Sequence, residues 1–380
     1  MLLACFILLA AAAAYPVVLY PALVVTLARW KPRPWNEEPL AEPVVHVIAV
    51  HNEEQRIEAK LENSLALEPP GGGLCTIVVD DGSTDRTMEI VERFADRGVV
   101  RIACPRSGKE QAQLEAVHAT REPVLVFSDA STRLEPGSIA ELVKPLADPA
   151  VSAVSGTDRL DEAETGTGEG LYVRYEMALR RAESLAGSLV GLSGCFFAAR
   201  REIAERLLPD VPSDMGAALV AIRLGKRAVA QPNARCTYSA TPEVEREFAR
   251  KRRTALRGLR CLWSYSGVLS IRRPRISWQV VSHKWLRFAI PLFALAAMVV
   301  VGIAALEGRP WGIALGILLA LGLGSGALAL RLQLLRRFRP LRALGFLTVS
   351  NLAVLAAWSD LLRGHKQVQW VPTRRPGGPR

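Results

Sequence analysis

The sequence has few cysteines, and none of them is arranged as a disulfide or zinc site requires. The six cysteines of the 380-residue chain are scattered and form no Cys-x-x-Cys pair. One of them, Cys5, lies within an uncharged apolar run. Small disulfide-bonded scaffolds and zinc modules depend on cysteines at close, regular spacing. Both classes are therefore excluded, and the pattern agrees with a reducing cytosol.

Charged residues are missing from four apolar stretches near the two ends of the chain: residues 1–28, 288–306, 310–330 and 343–359. A bilayer core requires about 20 apolar residues in helical form, so the first three stretches predict membrane helices. The first lacks a preceding Lys or Arg and is longer than the apolar part of a signal peptide, which indicates an uncleaved anchor. The fourth is short and contains Ser350, Asn351 and Ser359. It predicts either a fourth spanning helix or an interfacial or re-entrant helix.

The net charge of +11 comes largely from one region before the second apolar stretch. Eleven Lys and Arg residues fall between positions 250 and 287. No base-stacking motif accompanies them, which argues against nucleic acid as a partner. Such a cluster retains a segment in the cytoplasm and attracts anionic headgroups. Four spanning helices would then place the basic tail, residues 363–380, on the opposite side, in conflict with this rule.

Between the apolar ends, short apolar runs alternate with helical patterns. Strands are predicted at residues 44–50, 75–79, 99–103 and 124–128, and helices at 54–67, 84–97, 111–120 and from Pro136 onward. This alternation predicts an α/β domain with a mostly parallel sheet and helices on both faces. Ligands of such sheets bind beyond the carboxyl ends of the strands.

Carboxylates stand at two of these strand ends. Asp80 and Asp81 end the second strand and precede Gly82, and Asp129 ends the fourth. A single Asp before Gly is explained by a turn or a helix cap. Two adjacent carboxylates repel each other and require donors or a cation, which favours a binding role.

An ordered set of motifs joins these carboxylates. It comprises Val47-Ile48-Ala49-Val50-His51-Asn52-Glu53-Glu54, Val79-Asp80-Asp81-Gly82-Ser83, Gly108-Lys109, Phe127-Ser128-Asp129-Ala130-Ser131, Leu192-Ser193-Gly194-Cys195-Phe196-Phe197, Pro212-Ser213-Asp214 and Trp370-Val371-Pro372-Thr373-Arg374-Arg375. In this order the set resembles the family 2 glycosyltransferases, whose Rossmann-like nucleotide-sugar-binding domain has the GT-A fold. The resemblance covers about residues 44–262 and the flanking helices.

The resemblance implies a role for each matching residue. The residues expected to contact the nucleotide are Ala49, His51, Glu53, Asp80, Asp81, Lys109 and Asp129. Asp129 and Ser131 would bind a Mg²⁺ or Mn²⁺ ion, and Arg250 and Arg253 would contact the pyrophosphate. Gly194 and Cys195 would contact the acceptor, and Asp214 would be the general base. A divalent ion neutralises the departing pyrophosphate, and a carboxylate takes the proton of the acceptor hydroxyl. Alternatively, Asp214 caps a surface helix after Pro212, and the two arginines serve only as topology signals.

Two departures from the family pattern bear on function. Members usually carry Asp-x-Asp where this chain has Asp129-Ala130-Ser131, and processive members carry Trp where this chain has Thr254. Mg²⁺ needs only one or two carboxylates besides phosphates and water, so Asp129 suffices. The missing aromatic ring predicts limited transfer rather than long-chain synthesis.

The predicted organisation is therefore an N-terminal membrane helix (1–28), a GT-A domain (43–263), a basic juxtamembrane segment (264–287), C-terminal membrane helices (288–362) and a basic tail (363–380). The predicted function is inverting transfer of a sugar from a nucleotide sugar, most simply UDP-linked, to a lipid or polysaccharide acceptor. The protein would be a multi-pass inner-membrane protein with its catalytic domain in the cytoplasm. The alternative is a catalytically silent component of an envelope polysaccharide assembly complex, which the incomplete Asp-x-Asp motif motivates.

Overall fold

A computed structural model describes residues 1–160, 168–238, 244–331 and 339–365. The motif at residues 370–375 and most of the basic tail lie outside these ranges. The described chain divides into two compact units. Residues 1–23, 244–262, 280–331 and 339–365 form the helical unit, and residues 24–160, 168–238 and 263–279 form the sheet unit.

The sheet unit is built on eight strands: β1 (Val44–Val50), β2 (Leu74–Asp81), β3 (Val99–Cys104), β4 (Val124–Asp129), β5 (Arg133–Leu134), β6 (Val151–Leu160), β7 (Phe196–Arg200) and β8 (Arg227–Tyr238). They form one mixed sheet in the order β3-β2-β1-β4-β7-β6-β8-β5. The four strands predicted from the sequence are present as β1 to β4. They are mutually parallel, so the carboxyl ends of β1, β2 and β4 meet at one edge. The predicted α/β fold with a GT-A arrangement is confirmed.

Strand β7 departs from the parallel pattern. It runs antiparallel to both β4 and β6, between which it lies. Its buried residues form an uninterrupted apolar run from Phe196 to Ala199. Such a run fits a strand that is covered on both faces, and it contains no indication of direction.

The helices are α1 (Leu2–Ala14), α2 (Leu19–Trp30), α3 (Ile57–Leu65), α4 (Thr87–Glu92), α5 (Lys109–Ala119), α6 (Ser138–Val143), α7 (Gly168–Ala186), α8 (Arg201–Ala204), α9 (Ser213–Arg223), α10 (Val244–Ser264), α11 (Pro274–Val280), α12 (Leu286–Leu306), α13 (Pro310–Arg331) and α14 (Arg339–Leu362). A π-helical turn, Val281–Trp285, joins α11 to α12. The helices expected after β1, β2, β3 and β4 are all present. Those after β1 and β2 are shorter than the sequence pattern suggested, whereas the helix after β3 begins two residues earlier, at Lys109.

Helices α3 and α4 anchor the part of the sheet formed by β1 and β2. Ile57 and Leu61 of α3 and Ile90 of α4 pack against Ile48 of β1 and Val78 of β2, and all five are buried. Full burial of such a side chain contributes about 1.5–3 kcal/mol. The strand ends are thereby held on a rigid platform.

The segment after α2 is fastened to the sheet unit. Arg33 donates its backbone N–H to the carbonyl of Leu185, 2.8 Å away. Arg227 donates to the carbonyls of Arg33 and Pro34 at 2.6 and 3.3 Å. Burial, with the neighbouring Arg33 charge, lowers the pKa of Arg227 to about 10. The segment after α2 that contains Arg33 and Pro34 is therefore an integral part of the sheet unit.

The N-terminal apolar run forms two helices instead of one. Helices α1 and α2 meet at an angle of 51°. The break contains Pro16, which has no N–H to donate and interrupts the helical hydrogen bonding. The prediction of one N-terminal membrane helix over residues 1–28 did not include this bend.

In the described residues, one continuous helix is long and apolar enough to cross a bilayer, namely Pro274–Leu306. The bent pair α1 and α2 is a second candidate if it forms a single span. Shorter apolar helical stretches cover Pro310–Ser325 and Leu347–Leu362.

The C-terminal half of α14 packs against α10 and the start of α12 within the helical unit. Asp360 accepts two hydrogen bonds from Arg252, at 2.6 and 2.7 Å. Trp358 donates its indole N–H to the carbonyl of Phe288 at 2.9 Å. Between these polar contacts, Ala357 packs with the apolar face of α10.

Candidate active site

A pocket of ≈ 70 Å³ opens where β1, β2 and β4 end and α5 begins. It is lined by Ala49, Val50, His51, Glu53, Asp81, Lys109, Asp129, Ala130 and Ser131. Six of the seven residues that the sequence assigns to the nucleotide therefore share one pocket, together with Ser131. They converge because the parallel strands bring their carboxyl ends to the same edge.

The loop after β1 is fixed to the turn after β2. Asn52 has a φ of +52°, a left-handed conformation that Asn tolerates better than most residues. Its side chain accepts from the N–H of Thr84 at 2.8 Å, and its own N–H donates to Oγ of Ser83 at 3.0 Å. His51 donates from Nδ1 to the carbonyl of Asp81 at 2.8 Å. The sequence prediction assigned no role to Asn52, although an Asn beside strand-end acids is a recognisable signal for such a turn.

Asp80 and Asp81 occupy different environments. Asp80 accepts the N–H of Ser83 at 3.0 Å and caps the turn, and it does not line the pocket. Asp81 accepts the N–H groups of Ser107 and Gly108, at 2.6 and 2.9 Å, and pairs with Arg106. These donors offset the repulsion between the Asp80 and Asp81 carboxylates. The predicted need for donors is met within the chain.

The loop that binds Asp81 leads directly into α5. Gly108 has a φ of +107°, a backbone conformation that residues other than Gly rarely adopt. This conformation directs two successive N–H groups at Asp81 and places Lys109 in the pocket. The Gly108-Lys109 pair is therefore explained by backbone geometry as well as by charge.

Lys109 connects Asp129 in the pocket with Gly194 in the loop before β7. Its Nζ lies 2.5 Å from Oδ1 of Asp129 and 3.1 Å from the carbonyl of Gly194. Burial alone would lower the pKa of Lys109, but the carboxylates of Asp129 and Glu110 outweigh burial and raise the pKa above its usual value. Lys109 is thus a permanent cation beside the candidate metal ligand.

Gly194 connects Lys109 with Asp214. Asp214 lies in the first turn of α9, and a Cβ atom at position 194 would lie 3.4 Å from its Oδ2. The N–H of Leu192 also donates to the carbonyl of Asp214 at 3.3 Å. The expected acceptor residues and the expected base are therefore neighbours, at the margin of the nucleotide pocket.

A second polar network shapes the acceptor loop. Oγ of Ser193 accepts the N–H groups of Cys195 and Phe196, both at 3.1 Å, and donates to Asp158. Burial, with Asp158 and Asp129 nearby, raises the pKa of the Cys195 thiol well above its ordinary value. Cys195 therefore stays a neutral thiol. The sequence prediction missed Asp158, because its partner lies 35 residues away in the chain.

The residues present fit a divalent ion only in part. In residues 1–160, 168–238, 244–331 and 339–365, no three His, Cys, Asp or Glu side chains are grouped as a metal cage. Asp129 and Ser131 do line the same pocket. One carboxylate and a hydroxyl suit an ion that receives its other ligands from phosphates and water. The donor set thus fits a metal that binds together with a diphosphate.

Arg250 and Arg253 lie on α10, in the helical unit. The pocket belongs to the sheet unit, so contact of these arginines with a pyrophosphate stays a prediction.

Comparison with known proteins identifies the domain. A family model described as "Glycosyl transferase family 2" matches residues 46–208. Poly-beta-1,6-N-acetyl-D-glucosamine synthase of Staphylococcus epidermidis is 26% identical over 168 residues, which is 42% of this chain and 40% of that protein. Hyaluronan synthase of Streptococcus pyogenes is 29% identical over 203 residues, covering 50% of this chain and 48% of that protein. The chain thus matches less than half the length of each relative.

One solved structure is similar over nearly the whole chain. It is a mannosyltransferase from Pyrobaculum calidifontis in complex with GDP-Man and Mn²⁺, with a TM-score of 0.75 and 26% identity, covering 96% of this chain and 100% of that one. The sheet order, the motifs at the strand ends and these similarities agree. Residues 46–208 of this chain therefore form a glycosyl transferase family 2 domain with the GT-A fold.

Proposed function

We propose that the protein transfers a sugar, with inversion, from a UDP-sugar to a lipid or polysaccharide acceptor at the membrane. The observation that carries the proposal is the linkage of Asp129, Lys109 and Asp214 through Gly194. This arrangement supplies a site for a diphosphate leaving group and a base on adjoining elements.

In the proposed reaction, the acceptor hydroxyl oxygen attacks the anomeric carbon of the donor, and the bond from that carbon to the diphosphate oxygen breaks. Asp214 takes the proton of the hydroxyl, which otherwise ionises only at very high pH. The nucleoside diphosphate leaves with the bonding electron pair. Attack from the face opposite the leaving group inverts the anomeric configuration.

The leaving group requires positive charge at the departing oxygens. The ammonium of Lys109 is held at the pocket by Asp129 and the Gly194 carbonyl, so it lies where it can stabilise this charge once the diphosphate binds. A bound Mg²⁺ or Mn²⁺, held by Asp129 and Ser131, would act as a Lewis acid on the diphosphate. The Mn²⁺ in the related mannosyltransferase supports this cofactor class.

The proposed donor nucleotide is UDP. This choice carries over the expectation from the strand-end motifs. GDP is the competing possibility because the similar mannosyltransferase was solved with GDP-Man.

The membrane setting is supported by the apolar helices and by the relatives. Pro274–Leu306 is long enough to cross a bilayer, and two sequence relatives are named as synthases of poly-beta-1,6-N-acetyl-D-glucosamine and of hyaluronan. We place the catalytic domain in the cytoplasm, with the basic segment before α12 on the same side. Thr254, which replaces the usual Trp, supports limited addition of sugars.

The test is incubation of the purified full-length chain with native lipids, Mg²⁺ or Mn²⁺ and a panel of radiolabelled UDP- and GDP-sugars. Transfer of label to a lipid or polymer, identified by mass spectrometry, is expected with a UDP-sugar. Transfer from GDP-sugars alone would contradict the donor proposal. Tight nucleotide binding without any transfer or hydrolysis would favour the silent assembly component.

A further inference from the structure

A buried lysine lies beneath the loop that carries the candidate metal ligands. Lys60 belongs to α3, and only 3% of its surface is exposed. It shares its helix face with Ile57, Leu61 and Ser64, which are also buried. A lysine in the middle of such a face is rare unless its charge has a partner.

The ammonium of Lys60 contacts the loop from below. Nζ donates to the carbonyl of Thr132 at 3.0 Å and approaches Oγ1 of Thr132 at 3.4 Å. Thr132 in turn donates from Oγ1 and from its N–H to the carbonyl of Asp129, at 2.8 and 3.2 Å. A continuous chain of hydrogen bonds thus runs from Lys60 to the residue that carries the candidate ligand.

A second side chain of α3, that of Asn63, binds the end of the same loop at Leu134. Asn63 donates from Nδ2 to the carbonyl of Leu134 at 2.9 Å and accepts the N–H of Leu134 at 2.8 Å. The segment between Asp129 and Leu134 is therefore fixed to α3 at two points. Asp129 and Ser131 can move only if this clamp opens.

The charge of Lys60 needs an explanation beyond the hydrogen bonds. A neutral donor such as Gln could satisfy the Thr132 carbonyl at a lower cost of desolvation. In the proposed reaction, the loop above Lys60 receives a diphosphate in addition to the Asp129 carboxylate. A fixed positive charge below the loop favours this concentration of negative charge. Burial lowers the pKa of Lys60 to about 8, with the Asp129 carboxylate offsetting part of the decrease, so most of the population is cationic at neutral pH.

We propose that Lys60 is a positioning residue, which holds the loop of Asp129 and Ser131, through Thr132, in the geometry that binds a metal–diphosphate complex. The inference rests on the proposed function for the identity of the ligand. Lys60 itself does not line the proposed donor pocket.

The test measures binding, so that it does not depend on turnover. Calorimetry with UDP and with GDP, each in saturating Mn²⁺ and in EDTA, is applied to the full-length wild type, Lys60→Met, Lys60→Arg and Leu61→Ala. Leu61→Ala is the matched control, because it removes buried packing from the same helix without touching the loop. We expect Lys60→Met to weaken Mn²⁺-dependent nucleotide binding roughly 10-fold, in the range typical of residues that orient metal ligands. Binding in EDTA is expected to weaken less, because only the long-range attraction of the Lys60 charge is then lost and no metal-ligand geometry is involved.

The charge-conserving variant separates positioning from packing. Lys60→Arg is expected to retain most of the Mn²⁺-dependent affinity that Lys60→Met loses. Equal losses in Lys60→Met and Leu61→Ala would overturn the proposal, as would wild-type binding that Mn²⁺ does not strengthen. If Lys60→Met does not fold, Thr132→Val removes the hydroxyl link to Asp129 and is expected to weaken the same binding. Unchanged binding in that variant would also overturn it.

Transfer activity distinguishes the two proposals. In active protein, Lys60→Met should raise the KM for the donor and the Mn²⁺ concentration for half activation more than it lowers kcat. Wild-type protein that binds UDP with Mn²⁺ but transfers no sugar would refute the proposed function, and the binding comparison would still decide the role of Lys60.

Discussion

Nζ of Lys109 lies 2.5 Å from Oδ1 of Asp129, so the carboxylate expected to bind a metal ion is already paired with a cation. Partial burial of both groups makes this contact stronger than a surface ion pair. A divalent ion that arrives alone must compete with the ammonium. An ion that arrives with a diphosphate gives the ammonium a new partner. We therefore expect metal and donor to bind cooperatively.

Replacement of Lys109 tests this competition. Lys109→Met should tighten the binding of Mn²⁺ alone, because Asp129 is released, while transfer falls on the order of 100-fold through loss of charge stabilisation. Electron paramagnetic resonance of free Mn²⁺ and initial rates of transfer measure the two effects. Lys144→Met, which removes a lysine paired with Glu141 of α6, is the control. Weaker Mn²⁺ binding in Lys109→Met would contradict the competition.

Asp214→Asn tests the base. The substitution keeps the size of the side chain and removes the proton acceptor, so kcat should fall by about 10²- to 10⁴-fold. The dissociation constant for UDP with Mn²⁺ should stay the same, because Asp214 adjoins the acceptor loop and does not line the nucleotide pocket. Asp210→Asn, in the loop before α9, is the control. Normal product formation by Asp214→Asn would show that another group removes the proton.

The buried charge of Lys60 predicts a pH dependence of stability. Its pKa is about 8 in the folded state and 10.5 ordinarily, so between these values the unfolded chain binds more protons. The free energy of unfolding of the wild type should therefore rise relative to that of Lys60→Met as pH increases from about 8 to 10.5. The change should be on the order of 3 kcal/mol over this window. Below pH 8 both states are protonated, and the cost of burying the charge is present in full.

Urea unfolding of both proteins across this pH range measures the difference. The carboxylates and thiols common to the two variants largely cancel in the comparison. A difference between wild type and Lys60→Met that stays constant with pH would show that the pKa of Lys60 is the same in the folded and the unfolded chain, as expected if its charge is solvated.

The contacts of α14 predict the side of the membrane on which the chain continues after this helix. Trp358 bonds to Phe288 at the start of α12, and Asp360 pairs with Arg252 of α10. The chain between Phe288 and Trp358 therefore starts and ends at the same depth, which requires an even number of crossings. This favours the interfacial or re-entrant form of α14 over a fourth span. It also keeps the basic tail on the side of the basic cluster.

Labelling of single cysteines in a cysteine-free background checks this arrangement. Arg363→Cys should react with an impermeant thiol reagent from the same side as Ser270→Cys, and Glu307→Cys from the other side. Labelling of positions 363 and 307 from one side would instead support four crossings.

The sequence alone indicated the strands β1 to β4 and the pocket at their ends. Strand-length apolar runs that alternate with helical patterns specify a parallel arrangement, and parallel strands bring their final residues together. The motifs therefore suffice to assign one shared site to the pocket residues Ala49, His51, Glu53, Asp81, Lys109 and Asp129. These signals are local, since each is written in a few consecutive residues.

Only the tertiary structure decided how these residues are paired. The antiparallel direction of β7, the Ser193–Asp158 contact and the Lys60–Thr132 contact join residues that are distant in the chain. Asp80 and Asp81 look equivalent in the sequence, yet one caps a turn and the other binds the loop before α5. The sequence thus determined that a pocket with strand-end carboxylates is present. The fold decided which carboxylate faces a cation, because burial and long-range hydrogen bonds depend on packing.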